Sequence, residues 1–150
     1  MNHAEKALEL FHEGYNCAQA VALAFCDLAG LEKKTAARMA SSFGGGIGRM
    51  RSVCGAVSGR YMGLGLLYGY DDPADNAGKK ALYQNIQALA EKFRGEHGSI
   101  ICRELLKNPP SDPNPTIRSP EFYKMRPCDR MVFTAAELME NYIAEHPLED

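Results

Sequence analysis

Ala4, Leu8 and Phe11 recur at spacings of four and three in a mostly polar opening segment, the period of an amphipathic helix. Gly14 interrupts it, and Asn16 is placed to cap a second helix running to about Leu28. On that helix Cys17, Val21, Ala24, Phe25 and Leu28 share one face, and Gly30 supplies a C-terminal stop. A third helix is predicted over Thr35 to Ser42, ended by the glycine run Gly44–Gly48. Ser52 is positioned to cap a fourth, from about Val53 to Tyr68. After the turn at YDDPADN, Leu82, Ile86, Leu89 and Phe93 mark a long helix, and Ser99 precedes a short one in IICRELLK. Six of the eight prolines fall between residues 108 and 127. Proline lacks the N–H that helices and ladders need, so this segment reads as a long loop. Ala135, Leu138, Met139, Tyr142 and Ile143 define a last helix, with Thr134 and Glu137 as a capping box. No alternating strand pattern occurs. The expectation is an all-α fold of five or six helices, with the Pro-rich loop before the last, forming one domain over residues 1–150.

Composition narrows the function. Hydrophobic residues are 45% and charged residues 24% of 150 positions, an ordinary globular balance. A net charge of -2 and the lack of a basic cluster argue against nucleic acid as partner. No apolar run approaches the roughly 20 residues of a membrane span. MNHAEKALELF lacks the basic-then-apolar pattern of an export signal, so a cytoplasmic location is expected, where thiols stay mostly reduced.

The glycine run does not read as a phosphate loop. Counting from Gly44 the sixth position is Arg49, and from Gly46 it is Arg51, so the dinucleotide fingerprint fails. No Gly-Lys-Ser/Thr follows, and the preceding TAARMASS is helical in pattern rather than strand-like. A backbone nest near Arg49 and Arg51 remains able to hold an anion. Conformation is the better reading: positive φ comes easily to glycine and permits a sharp reversal between helices. Further on, Gly55, Gly59 and Gly63 recur every four residues, each costing roughly 1 kcal/mol against alanine inside a helix. Close packing of another backbone is the favoured compensation, with a ligand as the alternative.

Five cysteines remain: Cys17, Cys26, Cys54, Cys102 and Cys128. None forms a C-x-x-C pair, so neither a zinc knuckle nor a thioredoxin-type motif is present. Cys17, Cys54 and Cys102 each fall in an expected first helical turn, and Cys128 precedes the final helix. Free N–H groups there favour a thiolate, the reactive and metal-binding form. Cys26 lies nine residues after Cys17, half a revolution away at 100° per residue, and reads as structural.

The segment Cys54-Gly55-Ala56-Val57-Ser58-Gly59, with LFHEGYNCAQAV, FGGGIGRMRSVCGAVSG and GSIICRELL in this order, resembles the C_GCAxxG_C_C family, described as putative redox-active proteins. The resemblance runs from about Ala4 to Leu106 and resumes near Cys128. It implies that Cys17, Cys54, Cys102 and Cys128 form the site, supported by Gly55, Gly59 and Arg49, the last as a thiolate or anion contact. The leading functional reading is thiol/disulfide cycling, as in a thiol–disulfide oxidoreductase, with Cys54 attacking and Cys17 or Cys102 resolving. A redox protein of unspecified identity is then the partner, and a homo-oligomer stays open. The main rival is a zinc or iron–sulfur site with the same four cysteines as ligands. A small-molecule or anion-binding helical module is the third reading.

Overall fold

The computed structural model describes residues 2–148. Among these residues there are eight α-helices and no strand beyond one isolated bridge. Six are of eight residues or more: α1 (His3–His12), α2 (Cys17–Ala29), α3 (Lys33–Ala40), α4 (Gly55–Tyr68), α5 (Asn76–His97) and α8 (Cys128–Glu145). Two short ones, α6 (Cys102–Leu105) and α7 (Pro120–Met125), bring the number above the expected five or six. The correction at α7 has a local cause. Ser119 caps it, accepting from the Phe122 N–H, and Pro120 occupies the first turn, where its missing N–H costs nothing. The Pro-rich stretch is therefore a loop that ends in a helical turn.

Local chemistry explains most boundaries. Asn2 and Asn16 each close a capping box, with Glu5 and Gln19 as the returning side chains. Gly30 ends α2 in the left-handed region. The start of α8 lies earlier than the capping pattern indicates: Pro127 is the N-cap and Cys128 the first helical residue. Thr134 is consequently inside the helix, nearly buried, and its hydroxyl meets His97 Nε2 at 2.9 Å. A buried hydroxyl bonded to another helix is an alternative use of the residue that sequence pattern alone reads as a cap.

Helix α2 is the centre of the packing, touching α1, α3, α4 and α8. Its contact with α4 is unusually close because α4 presents glycine there. A Cβ on Gly59 would fall on the Ala18 carbonyl oxygen, and one on Gly55 would press on the Cys17 Cβ and the Ala18 N. The glycine stripe thus serves helix packing, the favoured of its two readings. Val21, Phe25, Val57, Leu64, Phe93, Val132 and Met139 fill the core below. Arg60 lies among them with no exposed surface, its guanidinium over the rings of Tyr61 and Phe93. No described helix is long and apolar enough to cross a membrane.

Candidate functional site

The glycine run reverses the chain through an uncommon backbone path. Gly45, Gly46, Ile47, Gly48 and Arg49 are five consecutive residues with positive φ, and Arg51 is a sixth nearby. Three of these are not glycine, and each such residue carries local strain of order 1–3 kcal/mol. Gly46 shows why a glycine is required: besides its φ of 71°, a Cβ there would collide with Cys102 Cβ and the backbone of Arg51. The loop thereby places Arg51 and Cys102 against each other.

A short antiparallel stitch finishes that wall. Cys54 N–H donates to Ile100 O at 2.7 Å, and Cys102 N–H donates to Ser52 O at 2.6 Å, around the Val53–Ile101 bridge. The stitch decides where α4 and α6 begin. Cys54 is itself the N-cap of α4, rather than a residue two places after a Ser52 cap. Cys102 is the first residue of α6, with Ile101 as N-cap. Ser99 instead accepts from the Ile101 N–H, two residues on. The opposite wall comes from Cys17 at the start of α2 and Cys128 at the start of α8.

Cys17, Cys54, Cys102 and Cys128 all line one cavity of about 670 Å³. Each stands at a helix N-terminus. Cys26 does not line the cavity, and its thiol donates to Leu23 O at 3.1 Å on its own helix. Gly55 is on the wall; Gly59 lies one turn deeper, at the α2 contact. All five cysteines are free thiols. No group of three or more His, Cys, Asp or Glu side chains among the described residues is arranged to hold a metal ion.

The charged side chains lining the cavity are Arg49, Arg51, Arg118 and Arg126; no carboxylate lines it. Arg51, only 3% exposed, donates from Nε to Pro110 O at 2.9 Å and points NH1 at Cys102 Sγ, 3.7 Å away. The thiol contact expected of Arg49 thus falls to Arg51, its neighbour two positions on. Arg49 holds the Pro-rich loop, donating to Thr116 Oγ1 at 2.7 Å. Arg118 lies over Phe11 and Phe122, 4.5 and 4.8 Å from their ring centres, and donates to Phe11 O and Tyr15 O. Sequence reasoning placed Arg51 only beside a possible anion nest, and missed Arg118 and Arg126. Their signal was present but weak: three arginines flanking cysteine positions or the Pro-rich segment, with no carboxylate beside them on the wall.

The thiols differ in acidity. Burial pushes Cys54 up to about 12, although the Ala56 and Val57 N–H groups pull the other way. Burial also raises Cys102, against the opposing pull of Arg51. Cys17 is raised well above the ordinary thiol range, first by its interaction with the Cys128 thiol and then by burial. Cys128 is lowered, first by that same interaction with Cys17; burial pushes the other way, and Arg126, Arg118 and Arg51 lower it further. Cys54, expected as the attacking thiolate, is thus held as a thiol: desolvation exceeds the contribution of its helix terminus.

Comparison with curated proteins gives no match, and comparison with solved structures gives none either. Residues 15–142 match the family described as putative redox-active protein (C_GCAxxG_C_C), a span that contains all four cavity cysteines, the glycine loop and the four arginines. The chain belongs to the C_GCAxxG_C_C family of putative redox-active proteins.

Proposed function

We propose that this protein is a cysteine-based redox protein in which Cys128 and Cys17 cycle between dithiol and disulfide. The observation that supports this most is that both cysteines, at the starts of α2 and α8, line one cavity whose charged groups are all arginines. A dithiol couple needs one sulfur able to become a thiolate and a second that holds its proton until the first has reacted. Cys128 has the first character and Cys17 the second. In the reductive direction the Cys128 thiolate attacks a substrate sulfur, and Cys17 then attacks Cys128 Sγ to release the product. Cys54 and Cys102, both raised by burial, remain thiols on the other wall of the cavity.

The test is a thiol titration with metal analysis on protein purified without oxygen. Mild oxidation is expected to remove two titratable thiols, leaving three of the five. Dithiothreitol restores them, and peptide mapping finds Cys17 joined to Cys128. Retention of stoichiometric zinc or iron by the isolated protein, with all four cavity thiols shielded, would instead establish the metal-site reading.

A further inference from the structure

The arginines that favour the Cys128 thiolate also give the whole cavity one sign of charge, which bears on what can enter it. Four arginines line it and no acidic group does. The nearest carboxylate to any of the four is Asp112, half-exposed and 4.0 Å from Arg49. Three of the arginines have structural employment. Arg49 and Arg51 fasten the Pro-rich segment, and Arg118 fastens it to the end of α1. Arg126 has none: its side chain makes no hydrogen bond or ion pair among the described residues and only lies over the Phe122 ring, 5.4 Å from the centroid. It stands two residues before Cys128. The start of α8 adds the free N–H groups of an 18-residue helix to the same spot.

Size and lining define what such a site accepts. At about 670 Å³ the cavity is in the range of organic ligand sites and far exceeds one inorganic oxyanion. Phe11, Leu105, Leu106, Phe122 and Met131 give it apolar surface for carbon chains. We infer that the cavity takes small organic disulfides bearing negative charge, with Arg126 receiving the anionic group and Cys128 attacking the disulfide. This rests on the proposed Cys17/Cys128 couple and specifies its substrate. The reaction balances within the named groups. The Cys128 thiolate attacks one substrate sulfur, the substrate S–S bond breaks, and the first half leaves as a thiolate that takes up a proton. Cys17, losing its proton to the second leaving half, attacks Cys128 Sγ and displaces it. The substrate disulfide is reduced to two thiols while the two cysteine thiols are oxidised to one protein disulfide.

The experiment mixes the fully reduced chain with three disulfides of similar length: 3,3′-dithiodipropionate (two carboxylates), 2-hydroxyethyl disulfide (neutral) and cystamine (two ammonium groups). Single-turnover rates are each divided by the rate of the same disulfide with free 2-mercaptoethanol, which removes intrinsic reactivity. The dicarboxylate is expected to lead the neutral disulfide by at least about tenfold, the low end of electrostatic focusing in a charged cleft. That ratio is expected to shrink in 1 M salt and in Arg126→Gln, and to return in Arg126→Lys. Equal or higher relative rates for the neutral or cationic disulfide would overturn the substrate class while leaving the thiol couple standing. Failure of all three to form the Cys17–Cys128 disulfide would overturn the couple, and the substrate proposal with it.

Discussion

The two walls of the cavity are built from the same parts and behave oppositely. Each offers two cysteines at helix N-termini. On the α4/α6 wall the backbone stitch seals both thiols in, and burial dominates their acidity. On the α2/α8 wall Cys17 and Cys128 shift each other in opposite directions, Cys17 up and Cys128 down, and arginines favour the Cys128 thiolate. A helix terminus alone therefore does not make a reactive thiolate. What decides is whether a proton donor and cationic groups accompany it into the low-dielectric site.

Exchanging serine for cysteine on either wall is the strongest way to break this contrast. Cys128→Ser is expected to abolish reversible loss of two thiols on mild oxidation, whereas Cys54→Ser retains it. Thiol titration before and after oxidation reads both. The reverse pattern, with Cys54 indispensable and Cys128 dispensable, would invert the assignment of the walls.

Prying the walls apart should come next in size. Gly59→Leu puts a side chain into the Ala18 carbonyl, where backbone cannot give way, and overpacking of this kind costs about 1–3 kcal/mol. The expected result is a lower unfolding midpoint together with slower disulfide formation, since α2 carries Cys17. A variant as stable as the parent would show that α2 and α4 are not in close contact.

Alkali distinguishes the walls by proton affinity. An unfolded thiol titrates near 8.5, while folded Cys54 holds its proton to about 12. Above about pH 8.5 the unfolded chain thus binds fewer protons than the folded one, and stability falls as pH rises, by up to ~1.4 kcal/mol per pH unit for this thiol. Cys54→Ala should flatten that slope in urea titrations between pH 8.5 and 10. Cys128 has the opposite sign: its raised acidity means its alkylation by iodoacetamide should reach half-maximal rate below the pH needed by an ordinary thiol. A steeper slope in Cys54→Ala would contradict the buried-thiol account.

The smallest effect is a control on the same helix. Gly65 has open space where a Cβ would go, so Gly65→Ala should stabilise α4 by up to about 1 kcal/mol through helix propensity alone. Destabilisation there would mean that the face of α4 turned away from the glycine stripe is packed closely as well.

How far the sequence anticipates this arrangement depends on the range of the interaction. Helix periodicity and the Asn16 and Gly30 signals are local, and α2 starts and stops where they indicate. The start of α4 is not local: it is set by the bridge between Val53 and Ile101, nearly fifty residues apart, and no pattern near Ser52 encodes it. Thr134 has the right spacing for a cap, but His97 on α5 provides a buried use for it. The choice between Arg49 and Arg51 turns on the positive-φ path of the glycine loop, which aims Arg51 at Cys102. Legible glycines implied an unusual path there, but not its direction. The acidity order was the least legible, because it follows from which thiols interact across helices.

Cys17 and Cys128 are more than a hundred positions apart in the chain, yet the fold brings both to the wall of one cavity. A covalent link between them would close a loop of about 100 residues, which restricts the unfolded chain by about 4.7 kcal/mol in the chain-entropy account. By linkage the folded chain favours the oxidised couple over the unfolded chain by the same amount. For a two-electron couple that corresponds to about 100 mV toward more reducing potential. The acidity of Cys128 works against this, since a stabilised thiolate favours the reduced form. The potential of the couple is thus set between the chain's topology and the arginines around one sulfur, and a calorimetric scan of the protein in its two oxidation states would read the topological share directly as a difference in melting temperature.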